Sequence, residues 1–132
     1  MKTLDWETIR LFLHVLAATV WVGGQITLAA LVPALRGSAE GVTKVAARAF
    51  NRIAWPAFGV LVLTGIWNVL AEGDKGPAYE HTLMVKYTLV VASGVTAYLH
   101  ARAGSRTAMA VFGALTGLAA LATLFVGIML AE

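Results

Sequence analysis

Four long apolar stretches, free of Asp, Glu, Lys and Arg, are spaced along this chain. They cover residues 11–35, 53–71, 87–101 and 107–131. The third becomes a full span when it is extended back to His81, which brings Lys86 inside it. A helix needs about 20 residues to cross the hydrocarbon core of a bilayer, so the pattern predicts four transmembrane helices. Helices are expected because lipid cannot satisfy the open edge of a sheet.

The segments between these spans predict how the helices connect. Residues 36–51 form a long connection that leads into basic residues at four-residue steps, Lys44, Arg48 and Arg52, each followed by an apolar residue. This spacing favours a short interfacial helix between spans 1 and 2. Residues 72–80 contain two glycines and a proline and predict a loop, and residues 103–105 predict a tight turn. Pro33 falls near the end of span 1 and Pro56 in the first turn of span 2, where proline is tolerated.

We therefore expect an all-α membrane protein with a single domain, residues 1–132. The predicted fold is an antiparallel four-helix transmembrane bundle. Its spans are expected at about 9–35, 53–71, 81–102 and 106–131.

The two ends of the predicted spans differ in charge. The connections after spans 1 and 3 hold six basic residues and one acid: Arg36, Lys44, Arg48, Arg52, Arg102, Arg106 and Glu40. The opposite ends hold three basic and six acidic residues: Lys2, Arg10, Lys75, Asp5, Glu7, Glu72, Asp74, Glu80 and Glu132. The positive-inside bias places the first set in the cytoplasm. We therefore expect a multi-pass protein of the bacterial plasma (inner) membrane with both termini outside.

Composition supports lipid as the solvent of this chain. It is 59% hydrophobic and only 13% charged, too little polar surface for a soluble domain of this size. The absence of cysteine excludes disulfides and thiolate metal sites. The net charge of +3 is scattered over helix ends, so topology explains it better than nucleic-acid binding. The expected partner is the lipid bilayer.

Two ionisable residues, His14 and Lys86, lie inside the predicted spans, where such groups are costly and commonly functional. At about 1.5 Å per residue, both fall at a similar depth in the outer half of the membrane. His81 lies at the outer rim of span 3, and His100 lies about 28 Å further along the same helix. His14 and His100 therefore cannot share one metal ion or haem iron.

Candidate site residues follow from these depths and from helical spacing. A metal site would draw on His14, His81, Met84 and Met129, and a cofactor site on His14, Lys86, His81, Trp21 and Asn68. His14, Trp21 and Gln25 share one stripe of span 1, and polar residues share faces on the other spans as well: Thr64, Asn68, Ser93, Thr116 and Thr123. Such side chains also serve simply as hydrogen-bonding contacts between helices. The glycines Gly23, Gly24, Gly113 and Gly117 indicate close helix packing.

The ligand chemistry leaves copper and haem open. Histidine and thioether ligands suit copper, whereas an imidazole in an apolar helical bundle also suits haem iron. The Lys86 ammonium would repel a bare cation unless it is deprotonated, but it can pair with a haem propionate. The structural alternatives are a neutral His14 hydrogen-bonded to a neighbour and a Lys86 side chain that snorkels to the outer interface.

Three short motifs resemble the copper-resistance D (CopD-like) family of membrane proteins. Residues 12–24 read FLHVLAATVWVGG, residues 48–54 read RAFNRIA ahead of Thr64-Gly65, and residues 83–90 read LMVKYTLV. The likeness covers most of residues 11–101. It implies a four-helix membrane unit for copper handling or uptake. Such a minimal unit is expected to work as a homo-oligomer or with a copper-carrying partner outside the cell.

A related group, the HemJ-type protoporphyrinogen oxidases, has a similar histidine in its first span and a lysine in its third. These correspond to His14 and Lys86, and the resemblance implies binding of haem or a porphyrin. Residues 27–36 depart from the aromatic-rich end of span 1 in that group, so the likeness implies porphyrin binding more than oxidase activity.

Three hypotheses follow from the sequence. The first is copper handling at a site on His14. The second is a b-type haem protein for electron transfer or porphyrin oxidation, the one case in which the chain would be an enzyme. The third is a structural subunit without a cofactor, in which the polar stripes serve packing alone.

Overall fold

The computed structural model describes residues 4–73 and 75–131, which contain helices and turns. Contacts divide the chain into two compact units, Met1–Gly73 and Asp74–Glu132, each with two long helical segments. All four segments are long and apolar enough to cross a membrane. By helix length and hydropathy this is a multi-pass membrane protein, which confirms the four predicted spans.

The first unit contains two segments of 31 residues each. One is built from helix α1 (Trp6–Ala18), a π-helical turn (Thr19–Gly23) and helix α2 (Gly24–Arg36). The other is helix α3 (Val42–Glu72). At 1.5 Å per residue each is roughly 47 Å long, against a hydrocarbon core of about 30 Å, so the ends extend beyond the core.

The π-helical turn was not predicted. A π-turn accommodates an extra residue, so α2 is rotated about its axis relative to a continuous α-helix. Two adjacent glycines, Gly23 and Gly24, lie where the turn passes into α2. The one sequence signal for the irregularity was this glycine pair, because paired glycines are among the recognised causes of local helix distortion.

Helix α3 corrects two predictions about the second span. The expected short interfacial helix is not a separate element, since α3 begins after Gly41 (φ 82°) and continues without a break to Glu72. Residues 42–55 include several good helix formers and no glycine or proline, which explains why the helix begins well before the predicted span. Pro56 therefore lies well inside α3 instead of in its first turn. Proline lacks an N–H, so it removes the intrahelical hydrogen bond to the carbonyl of Arg52.

The second unit is an antiparallel helical hairpin of α4 (Pro77–Ala101) and α5 (Arg106–Ala131). Its tight turn between the helices was predicted. The loop before it is shorter than expected, because α3 includes Glu72 and α4 already begins at Pro77. Proline is favoured at the first helical position, where its missing N–H removes no helical hydrogen bond.

Close contact between α4 and α5 is mediated by small side chains. Ser93 and Thr116 are both buried, and each hydroxyl approaches the backbone carbonyl of the other residue, at 3.3 Å and 2.7 Å. Gly94 and Ala120 are buried on the same two helices. Small residues let helix backbones approach closely, which is the usual packing mode inside membranes.

Large apolar side chains remain exposed on both units. Examples are Leu63 in α3, at 69%, and Phe125 in α5, at 67%. Soluble proteins rarely expose apolar surface on this scale. Lipid tails would cover these side chains, in agreement with the membrane assignment.

Candidate functional site

His14 is half-buried at the contact between α1 and α3, where its Nδ1 lies 2.8 Å from the Thr64 hydroxyl. The same hydroxyl lies 2.7 Å from the Val60 carbonyl. A carbonyl oxygen can only accept, so the hydroxyl donates its single proton to the backbone and accepts from His14 Nδ1–H. Both contacts are hydrogen bonds only if Nδ1 carries a proton, and the neutral imidazole then has its lone pair on Nε2.

The position of His14 is also set by a glycine. A Cβ atom added at Gly65 would lie 3.5 Å from His14 Cε1, so the imidazole ring packs directly over this residue. Metal-binding histidines are typically held in this way, with one ring nitrogen donating to the protein and the other directed to the ligand. Thr64 and Gly65 are thus the residues that orient His14.

Arg10 lies one helical turn before His14 and is only 6% exposed. Its Nη2 atom lies 3.6 Å from Glu72 Oε1, and the Glu72 side chain is 35% exposed. Together with the His14–Thr64 contact, this ion pair shows that α1 and α3 run antiparallel. Arg10 was predicted only as a flanking charge that sets topology. Its four-residue spacing from His14 was the sequence signal that the two residues share one face of the helix.

Asn68 lies between Thr64 and Glu72 on one face of α3, at successive four-residue steps. Its Oδ1 atom is buried without a hydrogen-bond partner among the described residues, and the same is true of Arg10 Nε. Five residues, which we call the polar seam, thus follow the contact between α1 and α3: Arg10, His14, Thr64, Asn68 and Glu72. His14 and Asn68 are predicted cofactor-binding residues, and both lie on this seam.

Trp21 belongs to an aromatic cluster further along the first unit. It is buried, with its ring centroid 5.4 Å from that of Trp55 and 4.6 Å from that of Phe58. These contacts make Trp21 part of the packing between the two helical segments; its contact with a cofactor stays a prediction. Gln25, from the same predicted stripe, has both side-chain amide atoms buried without a hydrogen-bond partner in the described part of the chain.

Four other predicted site residues, Lys86, His81, Met84 and Met129, belong to the second unit. Lys86 is half-buried, and its Nζ lies 3.6 Å from the position of a Cβ at Gly127, so this glycine leaves room for the lysine against α5. His81, Met84 and Met129 are exposed. Their combination with His14 in one site stays a prediction.

Two further observations limit the possible metal sites. Within residues 4–73 and 75–131, no three His, Cys, Asp or Glu side chains are grouped so that they could hold a metal ion. His100 has a local partner, since its Nδ1 lies 2.6 Å from the Met109 carbonyl and donates to it. Its ring also lies against Gly113, which indicates a structural role near the turn of the hairpin.

The two units offer different groups to a ligand. The first unit offers an oriented imidazole, a buried guanidinium and a buried amide oxygen, and the second offers exposed thioethers and a half-buried ammonium. The resemblances to copper- and porphyrin-handling families therefore remain expectations. No protein-family model, curated protein or solved structure matches this chain.

Proposed function

We propose that this protein is a membrane-bound haem protein in which His14 is an axial ligand of a b-type haem. The observation that carries the proposal is the hydrogen bond from His14 Nδ1–H to the Thr64 hydroxyl, because it directs the imidazole lone pair to Nε2. Imidazole nitrogens of this kind are common axial ligands in helical haem proteins. A bound haem supplies one-electron redox chemistry, so the function we infer is electron transfer.

The charge beside His14 favours an anionic porphyrin over a bare metal ion. Arg10 is buried one helical turn away, and its guanidinium can bind a carboxylate but offers no ligand atom to a metal ion. The propionate groups of haem carry the opposite charge. The described part of the first unit also lacks methionine, cysteine and a second histidine, so copper would find none of its preferred additional ligands there.

Copper handling, implied by the CopD-like resemblance, is the second candidate, and one feature of the second unit favours it. His81 and Met84 are exposed about one turn apart on α4, and Met129 is exposed on α5. Because Lys86 lies against Gly127 in an antiparallel hairpin, Met84 and Met129 occupy the same level. Exposed thioethers and an imidazole at one level suit capture of Cu(I).

The distribution of charge supports an orientation for this protein in the membrane. In the first unit, exposed basic residues lie around the connection from α2 to α3, namely Arg36, Lys44, Arg48 and Arg52. In the second, Arg102 and Arg106 flank the turn between α4 and α5. Under the positive-inside bias both connections are cytoplasmic, so we propose that both termini lie outside the plasma membrane of a bacterium.

The deciding experiment is an absorption spectrum of the full chain purified in detergent after expression with sufficient haem and copper, combined with elemental analysis. We expect a Soret band with iron in the wild type and its loss in His14→Ala. The matched control is His100→Ala, which removes a histidine from the second unit and should leave the band unchanged.

Each other result has a definite meaning. About one copper per chain in a colourless preparation would replace haem by copper as the ligand. A Soret band that survives in His14→Ala would overturn the assignment of His14. Purified protein with neither haem nor copper would overturn both candidates and favour a structural subunit.

A further inference from the structure

Arg10 is buried at the contact between α1 and α3, and a buried charged residue is unusual between membrane helices. It is 6% exposed, and its Nε–H has no hydrogen-bond partner among the described residues. The Glu72 carboxylate lies 3.6 Å from its Nη2 atom, a separation that allows attraction but is too long for a good hydrogen bond. A buried guanidinium with an unused donor is costly, so it points to a ligand with acceptor oxygens.

A second observation comes from the opposite helix. Asn68 Oδ1 is also buried without a hydrogen-bond partner in the described part of the protein. The pairing of α1 with α3 places Asn68 on the same seam as Arg10 and His14, between Thr64 and Glu72. Two polar groups on facing helices thus retain unused hydrogen-bonding capacity within about one turn of the oriented imidazole.

We infer that Arg10 binds a carboxylate of the ligand held on His14 through its unused donor. Asn68 Oδ1 can only accept a hydrogen bond, so it takes no part in binding the carboxylate. The inference rests on the proposed function, and its ligand class is an iron porphyrin with free propionate groups. Arg10 lies one helical turn nearer the Trp6 end of its span than His14 does. Ionised propionates of a ligand on His14 would point toward this end, because it is nearer the membrane surface. Guanidinium groups bind carboxylates through charge-assisted, often paired, hydrogen bonds.

The half-exposed Glu72 fits this role. Its carboxylate balances the charge of Arg10 but leaves Nε–H unused. A ligand carboxylate can therefore add to the guanidinium on the side that Glu72 does not use, while the Glu72 side chain keeps its access to water. Arg10 thus acts as an anion-binding residue beside the axial ligand.

The test compares haem with its dimethyl ester, which keeps the iron and the ring but has no free carboxylate. Both are titrated into the full-length apoprotein in detergent. We expect the wild type to bind haem about 10-fold to 100-fold more tightly than the ester, as expected for a charge-assisted hydrogen bond. In Arg10→Met/Glu72→Gln, which removes both charges of the ion pair together, the two compounds should bind equally.

Two further variants keep the test decisive if the double variant does not fold. Arg10→Lys keeps the charge but loses the planar fork, so the preference for haem should fall several-fold without disappearing. The matched control, Arg36→Met/Glu40→Gln, removes an exposed pair of opposite charges from the other end of the first unit and should keep the full preference.

The possible failures separate the two proposals. Wild-type protein that binds neither compound overturns the proposed haem function. Equal binding of both compounds by the wild type, or an undiminished preference in either Arg10 variant, overturns the role of Arg10 alone and leaves His14 as the axial ligand.

Discussion

The two helical units both consist of long apolar helices, yet they join those helices by different chemistry. In the first unit, ionisable and aromatic side chains meet: Arg10 with Glu72, and Trp21 with Trp55 and Phe58. In the second, Ser93 and Thr116 each approach the other's backbone between closely packed helices. Small residues with exchanged hydroxyl contacts are a common packing solution in membranes, whereas buried ionisable groups are costly.

The two units also differ in whether their buried polar side-chain atoms have hydrogen-bond partners. In the second unit the Thr116 hydroxyl donates to the Ser93 carbonyl at 2.7 Å. The buried side-chain atoms left without a hydrogen-bond partner in the described residues all lie in the first unit, on Arg10, Gln25 and Asn68. Buried polar groups are normally paired, so unpaired ones in one place call for an explanation. We attribute that of Arg10 to ligand binding.

The largest expected effect is on haem affinity. It should distinguish the Thr64 hydroxyl of the first unit from the Thr116 hydroxyl of the second. Thr64→Val keeps the size of the side chain but removes the acceptor for His14 Nδ1–H, so haem affinity should fall about 10-fold to 100-fold. Thr116→Val removes a hydroxyl from the second unit and should leave haem affinity unchanged. Haem titration of both variants, followed at the Soret band, measures the difference.

Thr64→Ser is the rescue control for this comparison, because it restores the hydroxyl and should recover most of the affinity. Thr116→Val should still lower the free energy of unfolding, by about 0.6 kcal/mol. If both valine variants weakened haem binding equally, the division into a binding unit and a packing unit would be wrong.

A smaller effect, on stability, should distinguish the glycines that each unit uses for close packing. A Cβ at Gly24 would collide with the Phe50 ring, whereas one at Gly23 would meet nothing within 4 Å. We therefore expect Gly24→Ala to be less stable than Gly23→Ala by about 1–3 kcal/mol, the usual cost of overpacking. The measurement is unfolding of each variant in mixed detergent micelles, followed by circular dichroism.

The second unit offers an equivalent pair. A Cβ at Gly113 would lie 3.0 Å from the His100 ring, which is held by the Met109 carbonyl, whereas one at Gly117 would be unobstructed. Gly113→Ala should therefore be the less stable of the two. Within each pair, both glycine-to-alanine variants gain the same helix propensity, so only packing should distinguish them. Equal stabilities of the two variants in both pairs would contradict the packing described for these helices.

The smallest effect concerns the start of α1 and its dependence on pH. Asp5 accepts hydrogen bonds from the backbone and the hydroxyl of Thr8, both at 2.9 Å, and these lower the pKa of its carboxyl below the usual value. Since the folded pKa is below the unfolded one, the capping contribution is present above the unfolded pKa. It is lost as the pH falls through the folded pKa.

The measurement for Asp5 is an NMR titration of the Thr8 amide in micelles, whose midpoint should lie below that of an ordinary aspartate. Asp5→Asn retains a capping side chain but has no titrating group, so its Thr8 signal should not show this transition. In the second unit Gly76 has no side chain with which to cap α4, so the effect belongs to the first unit. A midpoint at or above the ordinary aspartate value would contradict the assigned hydrogen bonds.

The sequence predicted the helices better than their internal details. Long apolar runs were sufficient for the four spans, because the cost of burying charge in lipid depends on local composition. The continuity of α3 through Pro56 was not predicted, since a proline near a span boundary is compatible with either a helix start or an interior position. The π-turn at Thr19–Gly23 was also missed, because it depends on packing as well as on the glycine pair.

For the candidate site, the sequence predicted two members of the polar seam, His14 and Asn68, and missed the residues around them. His14 was recognisable as an imidazole within an apolar span, where it is costly. Arg10 was not predicted as a site residue, because charged residues near the end of a span are normally read as topology signals. Thr64 was one of several hydroxyl residues, and its sequence position alone did not identify it as the partner of His14.

By itself, the sequence determined that this chain forms four helices long and apolar enough to cross a membrane, with basic residues concentrated at one end of the predicted spans. These properties follow from hydropathy and charge, which act residue by residue along the chain. Only the tertiary structure decided that His14 meets Thr64, 50 positions away, and that Arg10 is buried beside it. Such contacts depend on the rotation and register of two packed helices, which composition and periodicity leave undetermined.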